Sequence, residues 1–118
     1  MPPNLPAAWS PIGTVTLRRQ YIVERKADVY RLRSSTPRGA EFVQLIDGPI
    51  VRYLAKVLQG QTVVVEDAEK SLRKSGLKLP YQYGYKLKFL GQYVLTILVA
   101  SGQASHRKVG RRFEYDIA

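Results

Sequence analysis

Apolar residues recur along this chain at two different spacings. Between residues 13 and 34, "GTVTLRRQYIVERKADVYRLRS" sets Val15, Leu17, Tyr21 and Val23 on one parity, and Val29 follows after "ERKAD". Alternation of this kind predicts strands, here two of them joined by a polar turn. A loop, "SSTPRGA", comes next. "EFVQLI" is then too short to separate a strand from the start of a helix. From residue 49 the spacing changes. Ile50, Leu54, Val57 and Leu58 share one helical face. Asp47 stands where an N-cap would, Pro49 suits the first turn and Gly60 suits the stop, so a helix is predicted over 49–59. "TVVV" reads as a brief strand. "EDAEKSLRKSG" carries its acids first and Lys70, Arg73 and Lys74 toward its end, which matches the helix dipole and predicts a second helix near 67–75. Leu87, Leu90, Val94, Leu95, Ile97 and Leu98 form a broad apolar stripe, predicting a third helix near 83–101 closed by Gly102. Finally Phe113, Tyr115 and Ile117 alternate behind a cluster of cations, predicting a hairpin near 103–117.

The 118 residues suit one domain, with a core large enough to need no disulfide or metal. No repeat or low-complexity segment interrupts it. Its parts are a flexible Pro-rich arm (1–12), a β-ribbon (13–46) and a helical and hairpin portion (47–118). The chain has no cysteine, which excludes thiolate nucleophiles and cysteine-held metal and fits a reducing, cytoplasmic compartment, at the nucleoid if the source is bacterial. The apolar run "YVLTILVA" is too short for a bilayer, which needs about 20 residues, and "MPPNLPAAWSPIG" shows no signal-peptide pattern. No membrane partner is therefore expected.

Charge changes the picture most. Lys and Arg number 19 against 9 Asp and Glu, a net of +10. Residues 1–46 carry 7 cations and 3 anions, residues 47–76 carry 5 and 4, and residues 77–118 carry 7 and 2, so the positive excess lies at the two ends. Such a distribution attracts polyanions, nucleic acid first. In "SHRKVGRRFEYDI" a tight turn at Val109-Gly110 would set Lys108 opposite Arg111 and Arg107 opposite Arg112. Like charges facing across a ladder destabilise it. Phosphates would relieve that repulsion and release counterions.

The order helix, short strand, helix, turn, helix, strand, basic tip, strand over residues 47 to 117 resembles the winged helix-turn-helix superfamily of DNA-binding domains. The resemblance implies an α+β fold: a winged helix of three helices plus a C-terminal β-hairpin wing, with an N-terminal β-ribbon extension. It implies that "YQYGYKLKFLGQYVLTILVASG" is a recognition helix for the major groove and "SHRKVGRR" a wing on the DNA backbone. The chain departs from the pattern at "GLKLPYQYG", a join of up to nine residues where such units use three or four.

The expected nucleic-acid-binding residues are Tyr83, Tyr85, Lys86, Lys88 and Gln92 at the head of the last helix, and Arg107, Lys108, Arg111 and Arg112 in the wing. Lys86, Lys88 and Gln92 fall off the apolar stripe, and Tyr hydroxyls and Gln amides reach phosphates or base edges. The expected function is sequence-specific binding of double-stranded DNA by a transcriptional regulator. Two alternatives stand beside it: an RNA-binding or ribosome-associated domain, and a winged helix that meets an acidic protein. The ribbon's Arg18, Arg19, Arg25, Lys26, Arg31 and Arg33 either extend the DNA surface or pair with a second copy as a homodimer. An edge strand of that length needs cover. Enzyme chemistry is not expected. His106 is the lone histidine, no phosphate-cradling or "HExxH" motif occurs, and Glu66, Asp67 and Glu69 sit at a helix start where acids are ordinary. No cofactor and no metal are expected.

Overall fold

The computed structural model describes residues 8–36, 38–79 and 87–118. Its N-terminal part is an antiparallel meander of β1 (Ser10–Thr16), β2 (Gln20–Lys26), β3 (Val29–Ser35) and β4 (Glu41–Asp47), in that spatial order. Then come α1 (Gly48–Val57), β5 (Thr62–Val63), α2 (Val65–Arg73), α3 (Leu87–Ala100), β6 (Ala104–Val109) and β7 (Arg112–Ile117). The last three strands form a second antiparallel sheet in the order β5-β7-β6.

This architecture corrects the winged helix with a β-ribbon extension. Among the described residues there are three helices and seven strands in two antiparallel sheets, and the first sheet has four strands rather than two. The alternation through Val23 is not one strand. The chain reverses at Leu17–Arg19, where Val15 pairs with Tyr21 and Thr16 with Gln20. "EFVQLI" resolves to β4, with Ile46 opposite Tyr30 and Gln44 opposite Leu32. The first strand begins at Ser10, inside the stretch expected to be an arm. The C-terminal hairpin is not a freestanding wing, because β7 lies between β5 and β6 and sets Tyr115 beside Val63.

The helices stand close to where periodicity puts them. No side-chain bond from Asp47 caps α1, although Asp47 holds the extended N-cap conformation. At α2 the reciprocal bond is made: Asp67 accepts the Val64 N–H at 2.9 Å, satisfying a donor that the helix leaves open. The end of α3 is tied by Gln103 N–H to Leu98 O at 2.8 Å and Gly102 N–H to Val99 O at 3.1 Å, the paired bonds of a Schellman stop.

Helix α3 is the centre of the molecule. It touches β1, β2, β3, α1, α2 and β6. Leu90, Val94, Leu95, Ile97 and Leu98 are all fully buried, and its exposed residues are Lys88 and Phe89. A helix apolar nearly all round belongs inside a fold. The first sheet and the other two helices cover most of α3, and its exposed residues lie together at its N-terminal end. Gly91 permits this packing. A Cβ there would stand 3.1 Å from Ala68 Cβ and 3.2 Å from the Glu69 nitrogen, so α2 and α3 meet at backbone distance. The close approach offsets the ~1 kcal/mol that glycine costs a helix interior.

Along its strands the first sheet settles its own charges. Glu24 accepts hydrogen bonds from Arg33 Nε at 2.7 Å and Arg31 Nε at 3.0 Å, and Arg33 holds its carboxyl below the usual range, with Arg31 adding to the effect. Arg31 also lies over the Trp9 ring at 4.4 Å, and Arg25 over Tyr30 at 5.2 Å. These ribbon cations are therefore engaged within the sheet itself. Arg52 does the same for the β2–β3 turn, donating to Asp28 at 2.6 and 3.0 Å.

Candidate nucleic-acid interface

The C-terminal hairpin turns at Gly110-Arg111, one residue beyond the expected place. Val109 pairs with Arg112, Lys108 with Phe113, Arg107 with Glu114 and His106 with Tyr115. Gly110 supplies φ 63 at the first loop position, where a type II′ hairpin turn places its glycine. The expected repulsion between facing cations is thereby overturned. Arg107 donates to Glu114 Oε1 at 3.1 Å and is also ion-paired to Asp116. Arg112 reaches Glu114 at 3.5 Å. With this register Lys108, Phe113, Tyr115, His106, Ala104 and Ile117 share one face, and Arg107, Glu114 and Asp116 share the other.

The hairpin does not stand alone. Arg18, in the β1–β2 turn, donates from its guanidinium to the Arg111 carbonyl at 2.7 Å. The His106 Nε2 stands 3.3 Å from the Thr16 carbonyl oxygen, and its ring packs near Phe113 and Tyr115. Two turns, "LRR" and "GRR", are thus held side by side, each with an arginine pair.

Between them lies a cavity of about 370 Å³, within the range of ligand sites, roughly 300–1,000 Å³. Its walls carry Arg18, Arg19, Lys88, Arg111 and Arg112 against one carboxylate, Glu66. Glu66 pairs with Lys88 at 3.4 Å. Its apolar lining is largely aromatic: Phe42, Phe89, Tyr93, Phe113, Tyr21 and Tyr115. Phe42 and Tyr93 pack with ring centres 5.6 Å apart. Among the described residues Arg18, Arg19, Lys108 and Arg111 make no ion pair. Of these, Arg18, Arg19 and Arg111 line the cavity, so positive charge without an ion-pair partner borders an aromatic recess.

The tyrosines below that mouth stay neutral. Burial pushes the Tyr115 hydroxyl up to about 12, with Tyr21 adding to the shift, and burial raises Tyr21 as well. No phenolate forms at neutral pH to repel an anion. The same shift has a stability consequence. A folded value above the unfolded ~10 means the contribution is fully present below pH 10 and is lost as pH rises from 10 through 12. Tyr115 alone should account for about 2–3 kcal/mol over that interval. Urea unfolding between pH 9 and 12 should show the decline, and Tyr115→Phe should flatten it. An identical alkaline slope in that variant would mean that Tyr115 titrates as an exposed phenol.

Of the expected site residues, Lys88, Gln92, Arg111 and Arg112 line the cavity. Arg107 and Lys108 do not; Arg107 is taken up by Glu114 and Asp116. Tyr83, Tyr85 and Lys86 lie outside the described residues. Arg18 and Arg19 were visible only as ribbon cations, and Phe42, Phe89, Tyr93 and Phe113 carried no site signal except their aromatic character. The legible clue was the repeated Arg-Arg pair, each one flanked by an apolar residue. No family model, characterised protein or solved structure matches the chain, so the site is read from its own geometry. Among the described residues no group of acids and histidine is placed to hold a metal, and no helix is long and apolar enough to cross a membrane.

Proposed function

We propose that this is a nucleic-acid-binding protein, which grips the phosphate backbone at the groove between its two diarginine turns. One observation carries the reading: five cations from three separated parts of the chain converge on one cavity with a single carboxylate among them. Gathering like charges is unfavourable for the fold alone, and phosphates are the ligands that turn it to use. Planar guanidinium groups also match phosphate oxygens two at a time.

With about 3–5 phosphates neutralised, log K should fall against log salt with a slope of roughly −2 to −4.5, depending on strand type. Fluorescence anisotropy with labelled oligonucleotides between 50 and 200 mM salt measures this. Binding that ignores salt would sink the proposal. A polyglutamate competitor that displaces nucleic acid at equal charge concentration would point instead to an acidic protein partner.

A further inference from the structure

We infer that the aromatic recess takes an unpaired nucleobase, so that the ligand of the groove is a single-stranded stretch of nucleic acid whose flanking phosphates rest on the two arginine turns. This deepens, and rests on, the nucleic-acid reading above. Phosphate contacts alone would need only a cationic surface. Here the cations rim a cavity whose apolar lining is mostly aromatic. Phe89, beside Lys88 on the first described turn of α3, keeps 47% of its surface exposed. Phe113 is half-buried near the tip of the hairpin, paired with Lys108.

A base inside a duplex has both faces covered by its neighbours and its edge turned inward, so a recessed aromatic ring meets nothing of it. Chemistry or recognition at a base face requires the base to leave the stack. An unpaired base offers that face, and stacking on an aromatic side chain is tolerant of sequence because every base has one. The cavity's 370 Å³ suits a small planar group, and α3 is buried along most of its length, which leaves little helix surface to lie in a major groove. Arg19 and Arg111 at the rim add cation–π contact to whichever base enters.

Anisotropy titrations of the full chain distinguish this from phosphate binding alone. The probes are 12-nucleotide single-stranded DNA, single-stranded RNA, blunt duplex DNA of the same sequence, and a single strand of abasic sugar-phosphate. Either base-bearing single strand should bind at least tenfold more tightly than the abasic strand and than the duplex, and the DNA and RNA arms identify the source of the strand. Phe89→Ala should weaken the base-bearing strands by roughly tenfold or more and leave the abasic strand unchanged. Phe89 is half exposed, so the fold survives its loss, and circular dichroism verifies this. Equal binding of abasic and base-bearing strands, or a duplex that binds as well as either single strand, overturns the inference and leaves the phosphate reading standing. Failure of all four probes to bind at low salt overturns both.

Discussion

Alanine at Arg18, Arg19, Arg111 and Arg112 together is expected to lower nucleic-acid affinity by roughly three orders of magnitude at moderate salt. If each arginine is worth about 1 kcal/mol, as for a basic side chain near an anionic surface, four of them sum to about 4 kcal/mol, close to a thousandfold. The salt slope should flatten by about 0.7–0.9 for each phosphate that is no longer neutralised. Arg107 supplies the contrast. It bears the same charge and sits in the same hairpin, yet it is held by Glu114 and Asp116 and does not line the cavity. Arg107→Ala should change affinity less than threefold and stability by no more than about 1 kcal/mol, since exposed ion pairs are weak. The quadruple variant also loses the Arg18 bond to the Arg111 carbonyl, which costs about 0.5–1.5 kcal/mol. Its melting temperature must therefore be measured beside its affinity. Equal damage by Arg107→Ala and by the quadruple change would mean that binding follows net charge and not the groove.

Gly91→Leu should destabilise the fold by about 3 kcal/mol or more. At this position even a Cβ meets Ala68 and the Glu69 backbone at 3.1–3.2 Å. The neighbours are main chain and a methyl group on another helix, so no flexible side chain can swing away. A leucine must push α2 off α3, opening the core around Leu72 and Leu90, both buried. Overpacking of this kind costs about 1–3 kcal/mol and occasionally more. Gly91→Ala is the graded companion. It gains about 1 kcal/mol of helix propensity and needs the helices to part by only a few tenths of an ångström, so its net effect should be near zero. Urea midpoints for the pair decide the matter. A leucine variant as stable as the parent would mean that α2 and α3 do not approach each other as described.

Which parts of this molecule were readable from its residues follows from how local their causes are. The helices were, because Asp67 closes on Val64 and the Ile50–Leu54 face lies within a few residues. The count of strands was not. "LRR" turns the chain without glycine, proline, asparagine or aspartate, so alternation runs unbroken through a reversal. The hairpin register was missed by a shift of one residue in the turn, and that shift replaced cation–cation facing with the Arg107–Glu114 pair. The cover over α3 was missed for a different reason. Its stripe announces burial on one side, while the cover on the other comes from β1–β3, some seventy residues earlier. Of the candidate site, the terminal Arg111 and Arg112 could be suspected from sequence. Their partnership with Arg18 and Arg19 is a product of tertiary docking alone.

The bond from Arg18 to the Arg111 carbonyl joins positions 93 residues apart, and this separation has a temporal consequence. On the proposed reading, a growing chain that has completed its first sheet holds only half of the grip, and gains the other half when β7 has closed against β6. Half-made or locally opened molecules should accordingly release their ligand, so that binding reports the finished fold. The converse also holds. A strand lying across both turns acts as a removable staple between early and late parts of the polypeptide, and ligand at a hundred times its dissociation constant should resist unfolding by about 2.7 kcal/mol more than the free protein does. Occupancy would then set how long each molecule survives proteolysis, tying the lifetime of the protein to the supply of what it binds.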